Sequence, residues 1–342
     1  MRTAYFAAFC GVIFGFAPQA WAQSAEQFYQ GKAVDVVIGF GAGGGNDFYG
    51  RLLANHIGKH IPGRPNVVPK NMPGAGSFLA INTIYNVAPK DGTVIGLGAP
   101  TMALDEKIGS QGVRFKSSQL NWVGRIDSQI DVLFMLSTSP VKTIDDAHRI
   151  ESTLSSTGAG SASSNYPTVL NNVVGTKFKI ILGYRGSNDA MLAMERGEAE
   201  GHSTAWNTLK VAKPEWLRDK KITMLVQFAL SRHPEIASVP TAVEIGRTDD
   251  ERDVLRAIMS ASDIGTAFFT TPDVPADRLA VLRRAFDATM KDPAFLEDAA
   301  KAKFSIGPMR GEAVQKLVAE MDGLSSALIQ KIAAAFVIPG AK

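Results

Sequence analysis

Apolar positions in this chain fall into short runs that break at glycine turns, and the turns open helices. Val34-Asp35-Val36-Val37-Ile38 has the length and content of a buried strand. It runs into Phe40-Gly41-Ala42-Gly43-Gly44-Gly45-Asn46-Asp47, where so many glycines disfavour a continued extended chain. Phe48, Leu52, Leu53 and Ile57 then recur at helical spacing. The same order returns in the strand Asn66-Val67-Val68, the turn Asn71-Met72-Pro73-Gly74-Ala75-Gly76-Ser77, and a helix carrying Phe78, Ile81 and Tyr85. With a third strand over residues 93–98, the alternation predicts a parallel α/β sheet with right-handed crossovers. Both glycine turns then lie at the carboxyl ends of neighbouring strands. Each places a helix N-terminus there, with unpaired N–H groups and a positive dipole end. Gly44, Gly45, Asn46 and Asp47 with Gly74, Ala75, Gly76 and Ser77 thus outline an anion site built from backbone. Pro69 is awkward in a central strand, so the second strand is expected to be short or to end there.

Near residue 123 the chain leaves this unit. A strand is predicted over 132–136, and Thr143 caps a helix start at Ile144-Asp145-Asp146. The small polar segment 155–164 reads either as a linker or, being short and placed like the first glycine turn, as a second loop for an anionic or polar ligand. The second reading is preferred, with Thr157, Gly158, Gly160, Ser161 and Ser163 as its contacts. A helix over 166–174, strands over 178–182 and 223–228, a short helix over 190–195 and a charged helix over 249–259 follow. Phe268-Phe269 marks a returning strand, and helices are expected over 276–290 and 312–334. The resulting organisation is one lobe from residues 23–124 and 263–342 and another from 125–262. Two crossings between lobes suit a hinge.

Residues 1–22 read as an export signal. Arg2 precedes the uncharged apolar stretch 4–16, and Ala20-Trp21-Ala22 places cleavage after Ala22. The stretch is too short for a stable membrane anchor. The single cysteine, Cys10, falls inside it, so the remaining chain offers neither disulfide nor thiolate metal site. Phe9 argues against a lipoprotein cleavage site. The formal charge of +3 drops to +2 without Arg2, far from the basic surface of a nucleic-acid binder.

Other chemistries fit the residues less well. Gly39-x-Gly41-x-x-Gly44 follows a strand as a dinucleotide fingerprint does, but no acidic residue lies between Asp47 and Asp91, where the ribose partner belongs. His56 and His60 are four apart on a helix without the zincin glutamate. No Gly-x-Ser-x-Gly elbow occurs. No metal and no cofactor are expected. A carboxylate at Asp47 would repel an anionic ligand, so it is expected to cap N–H groups or to orient water, leaving Asn46 as the direct contact. Ser77 caps its helix or bonds the ligand, and Thr101 faces the cleft or is plain loop. Tyr29, Phe48, Tyr166 and Trp206 either wall the ligand or pack.

The order strand, glycine turn ending in Asp47, helix, strand, Asn71-Met72-Pro73-Gly74-Ala75-Gly76, helix, Asp91-Gly92-Thr93 resembles the extracytoplasmic substrate-binding proteins of tripartite tricarboxylate transporters, the Bug-type receptors. The resemblance implies a type II periplasmic-binding-protein-like α/β fold of two hinged lobes. It further implies a monomeric, periplasmic binder of a small organic carboxylate (a di- or tricarboxylate, acidic amino acid or aromatic acid) and delivery to a membrane permease. Arg185 stands where the family has the lysine of a Tyr-Lys-Gly turn, either as a carboxylate fork or as a solvated surface residue. Ser203 or Thr204 follows the counterpart of a Gly-Gln-Val-Asp stretch and would face the cleft. Val239-Pro240-Thr241 matches a helix start of the family. An exported enzyme holding a phosphate-bearing substrate, or a receptor feeding a sensory kinase, are the other readings.

Overall fold

The structure, a computed structural model, describes Met1 and residues 25–337 apart from Gln129 and Ala159. The export signal expected over residues 1–22, Cys10 included, lies outside the described residues but for Met1. Strands β1 (Ala33–Ile38), β2 (Asn66–Asn71), β3 (Val94–Leu97) and β4 (Asn121–Arg125) begin a first sheet. The chain then builds a second sheet from β5 (Asp131–Leu136), β6 (Ser152–Ser155), β7 (Phe178–Ile181), β8 (Gly201–Ala205) and β9 (Ile222–Phe228). It returns through β10 (Ala267–Thr270) and β11 (Met309–Arg310). The orders are β11-β4-β10-β3-β1-β2 and β7-β6-β8-β5-β9. Helices cover both sheets, giving two α/β lobes.

Only β2-β1-β3 form the parallel block that the sequence predicts; β10 and β11 run antiparallel to their neighbours. The cause is the hinge. Ala267 pairs with Arg125, so the exit of β4 and the entry of β10 sit side by side, and two such strands must point in opposite directions. Pro69 lies inside β2 after all. It is tolerated because β2 is the outermost strand, which leaves one backbone edge without a sheet partner.

Several expected elements differ. The helix expected at 166–174 begins earlier, as Ala162–Val169, and continues as a wider π turn, Leu170–Val174. Val239-Pro240-Thr241 opens no helix; Gln227 bridges Thr241 in parallel, and the paired bonds between Thr241 and Glu244 close a turn instead. The helix expected over 312–334 is two helices, Gly311–Glu320 and Ser326–Ala335, divided at Met321–Gly323. The division has a packing reason. Gly311–Glu320 lies on β4 of the first lobe, whereas Ser326–Ala335 packs on Leu170–Val174 and on the charged helix Asp249–Ser262. Asn172 fixes the junction by donating to the carbonyls of Ala335 (3.0 Å) and Val337 (2.8 Å). The charged helix starts at a Thr248–Glu251 capping box and buries Val254, Leu255, Ile258 and Met259. One hydrophobic cluster includes Trp122 and Phe269 of the first sheet and Leu133 and Val226 of the second, so the lobes share an apolar seam beside the hinge.

Candidate functional site

A cleft of about 750 Å³ opens between the two sheets. Residues 39–46, 73–77 and 99–101 with Tyr49, Phe304 and Ser305 line it from the first lobe. Thr157, Gly158, 160–163, 185–189, 203–208 and His233 line it from the second, and Asp127, Ser128, Ile130, Asp131 and Thr266 lie at the crossings. Of the sequence-derived candidates, Gly44, Gly45, Asn46, Gly74, Ala75, Gly76, Ser77, Thr101, Thr157, Gly158, Gly160, Ser161, Ser163, Arg185 and Ser203 all stand on this wall.

Asp47 does not. Its carboxylate is turned inward, accepting from the Gly43 N–H (2.8 Å), from Arg51 Nε (2.9 Å) and from Asn71 Nδ2 (2.7 Å). Burial pushes its pKa up, but these bonds outweigh burial and hold the carboxyl below its usual range. Asn71 also donates to the Phe40 carbonyl (3.0 Å) and accepts from Arg51 (2.6 Å). The Asp that ends the first turn and the Asn that begins the second are thus one strut clamping the two turns together; Asp47, counted above among the site residues, takes the N–H-accepting role expected of it and does not line the cleft.

The helix Gly45–Ile57 has Gly44 as its N-cap with no capping side chain, so no side-chain cap takes up its first N–H groups, and Gly44, Gly45 and Asn46 line the cleft. In the second turn Ala75, Gly76 and Ser77 are successively left-handed (φ 45°, 64°, 81°). For Ala75 and Ser77 this costs about 1–2 kcal/mol each, strain of the kind that concentrates at functional positions. Ser77 Oγ neither caps its helix nor stands free: it accepts from the Ala99 N–H (2.8 Å) and ties the turn to the segment after β3.

On the opposite wall Ser163 Oγ gathers the loop. It accepts from the Thr157 N–H (3.1 Å) and lies 3.0, 3.1 and 2.9 Å from the hydroxyls of Ser156, Thr157 and Ser161. The segment is therefore a knotted hydroxyl cluster at the start of Ala162–Val169 rather than a linker. A further helix, Ser187–Glu195, also starts at the cleft with an uncapped Gly186 before it. Ser203 Oγ and Thr266 Oγ1 are fully buried and have no hydrogen-bond partner among the described residues, although both residues line the cleft. Such hydroxyls are costly unless something joins them. Thr204 bonds Ser187 (2.9 Å) instead. Beside Ser203, burial lowers the His202 pKa to about 4, so its ring is neutral at pH 7 and holds the Ser155 carbonyl at 2.7 Å.

Arg185 reaches the cleft rim with a side chain that is 91% exposed and whose guanidinium is already paired with Asp189 (2.7 Å). Thr101 donates to Asp105 (2.8 Å), whose carboxyl burial raises to about 6. Of the aromatic candidates only Trp206 lines the cleft; Tyr29 bonds the Gly92 carbonyl, Phe48 stacks on Phe304 and Tyr166 on Phe228. His56 and His60 contact different partners, Asp298 (2.9 Å) and Asp292 (2.8 Å).

Sequence reasoning missed Tyr49, Asp127, Asp131, Thr266 and Ser305. Asp127 and Thr266 sit on the two crossings, joined by a Thr266 N–H to Asp127 carbonyl bond (2.9 Å). An aspartate directly after the last first-lobe strand was the signal available. The lobes approach each other closely at more than one point of the cleft wall. A Cβ on Gly76 would lie 3.1 Å from the Gly160 carbonyl oxygen, and one on Gly45 would lie 3.0 Å from Thr208 Oγ1. Asn207 of the second lobe donates to Tyr49 Oη (3.2 Å), which donates to the Ser305 carbonyl (2.8 Å).

This two-lobed geometry has relatives. A UPF0065 protein of Cupriavidus necator, encoded 5′ of gbd, is 26% identical over 330 residues, covering 93% of this chain and 92% of its own. The solved periplasmic binding protein BugD superposes with a TM-score of 0.67 at 19% identity, covering 88% of this chain and 97% of its own. MatC of Rhodopseudomonas palustris, solved with bound malate, gives 0.64 at 19% identity, covering 85% and 98%. These likenesses establish the periplasmic-binding-protein fold. Residues 50–334 match the family described as the tripartite tricarboxylate transporter family receptor. The chain belongs to that family, whose members are solute-binding transport receptors and not enzymes.

Proposed function

We propose that the protein is exported, stays in the periplasm as a monomer, and closes its lobes, 23–124 with 263–320 and 125–262 with the helix Ser326–Ala335 packed on it, on a small organic carboxylate for delivery to a tripartite tricarboxylate-type permease. The observation that carries this reading is the convergence on one cleft of uncapped helix starts from both lobes, at Gly44–Asn46, Gly186–Asn188 and the loop before Ala162. Backbone N–H groups of this kind hold a carboxylate without a side-chain cation. Gly74–Ser77 adds a rigid backbone turn to the same wall. Malate bound to MatC is a ligand of the same chemistry. Closure removes water from these bonds, and the closed form presents both lobes to the permease.

A thermal-shift screen of the chain lacking residues 1–22 against organic acids and nucleotides tests this. A carboxylate at one hundred times its Kd stabilises by about 2.7 kcal/mol and raises Tm accordingly. A rise with a nucleotide and with no organic acid would sink the reading.

A further inference from the structure

We propose that Asn207 is a positioning residue for closure: its carboxamide, bonded at both ends to the opposite lobe, holds the two walls together and raises affinity for every solute by one common factor. The inference rests on the reading of a cleft that closes and goes beyond it, since the bonds involve no solute.

Asn207 stands in the first turn of the helix Trp206–Ala212, directly after β8 of the second lobe. Its Nδ2 donates to Tyr49 Oη (3.2 Å), Tyr49 Oη donates to the Ser305 carbonyl (2.8 Å), and Ser305 Oγ donates back to Asn207 Oδ1 (3.4 Å). Tyr49 and Ser305 belong to the first lobe, so this ring of bonds is completed across the cleft. Among the described residues the Asn207 side chain bonds nothing in its own lobe.

The first-lobe half of the ring is fixed in advance. Tyr49 is buried, and Phe304 packs edge-on against its ring (centroids 5.1 Å apart) while stacking on Phe48 (4.1 Å). The Gly307 N–H donates to the Ile126 carbonyl (2.9 Å) and ties the segment after Ser305 to the end of β4. Burial, and then the Asp127 charge, push the Tyr49 pKa above its ordinary value, so the phenol keeps its proton and remains a donor. Gly45 lies one helical turn before Tyr49 on the same face, and a Cβ there would stand 3.0 Å from Thr208 Oγ1, the neighbour of Asn207. The bare position is what admits the second-lobe helix this closely. When the lobes separate, Tyr49 retains the Ser305 carbonyl and only the two Asn207 bonds are exchanged for water. Each exchange shifts the balance modestly, and both shift it toward closure. The closed fraction multiplies the intrinsic affinity of any solute, so the shift is the same for all of them.

Scattering and titration of the chain lacking residues 1–22, with its Asn207→Ala and Tyr49→Phe variants, decide the matter. In small-angle X-ray scattering without added solute, both variants are expected to show a larger radius of gyration than the parent, with Tm little changed. In calorimetric titration with succinate, L-malate and adipate, every acid that binds should lose about tenfold in affinity on Asn207→Ala, and by the same factor. The double variant should lose less than the product of the two single losses, because both substitutions break the same bond. Unchanged scattering on Asn207→Ala overturns the proposal. So do losses that differ between acids by more than about threefold, which would make Asn207 a solute contact instead. If no acid binds the parent, the carboxylate reading falls and the scattering alone decides the closure proposal. Should one variant lose its melting transition, the other carries both measurements.

Discussion

The two walls of the cleft reach the same end by different means. The first-lobe wall is held from behind: Asp47, Arg51, Asn71 and Ser77 all bond inward, and the residues lining the cleft are mostly glycine, alanine and proline. The second-lobe wall is made of side chains, with hydroxyls at Thr157, Ser161, Ser163, Ser203 and Thr204, and its charges are paired at the rim. A backbone wall cannot be altered by substituting a contact residue, only by breaking its frame. A side-chain wall can change one contact at a time. On the proposed function, the first lobe would hold the anionic group and the second lobe would discriminate among solutes.

Four substitutions test that division. The largest effect is expected for Gly76→Leu. Its φ of 64° disfavours any side chain, and the Gly160 carbonyl occupies the space on the far side. Binding should fall roughly hundredfold, about 2.7 kcal/mol, with the fold retained by circular dichroism; binding within threefold of the parent would show that the turns need not meet. Asp47→Ala should cost about 2 kcal/mol of stability in urea, because Asn71 and the half-exposed Arg51 lose their acceptor. Since the folded-state pKa of Asp47 is depressed, its contribution is fully present above the unfolded value near 4 and fades as pH falls through the lower folded value, so parent and variant should converge in acid. Convergence at high pH instead would contradict the strut. Ser203→Ala, which removes a buried hydroxyl with no partner among the described residues, should weaken binding about tenfold while leaving stability unchanged or raised. A loss of stability with affinity intact would move Ser203 from the site to the core. Least is expected from Arg185→Ala, less than about 1 kcal/mol in either quantity, since an exposed ion pair contributes little. A tenfold change in Kd there would assign the guanidinium to the ligand.

The first lobe was legible because its pattern is local. A strand, a glycine turn and a helix occupy consecutive residues; β1 and the helix Gly45–Ile57 appear where periodicity places them, and β2 starts where expected but runs on through Pro69 to Asn71. The interlobe polar groups were not legible, for a physical reason. Tyr49, Asp127, Asn207, Thr266 and Ser305 belong to five separate segments that meet only when the lobes do, so no spacing records them. Asp47 shows the opposite limit. Its type and place at a helix start are readable, but which way it turns depends on Asn71, twenty-four residues on. The antiparallel β10 likewise follows from where the chain re-enters the sheet, which composition does not encode.

The terminal helix has a practical corollary. Helix Ala25–Tyr29 rests on the first lobe against Ala276–Thr289, whereas Ser326–Ala335 rides on the second. A donor dye on the former and an acceptor on the latter would form an optical ruler between the lobes, testing solute by solute whether the proposed closure occurs, with neither label on a residue that lines the cleft.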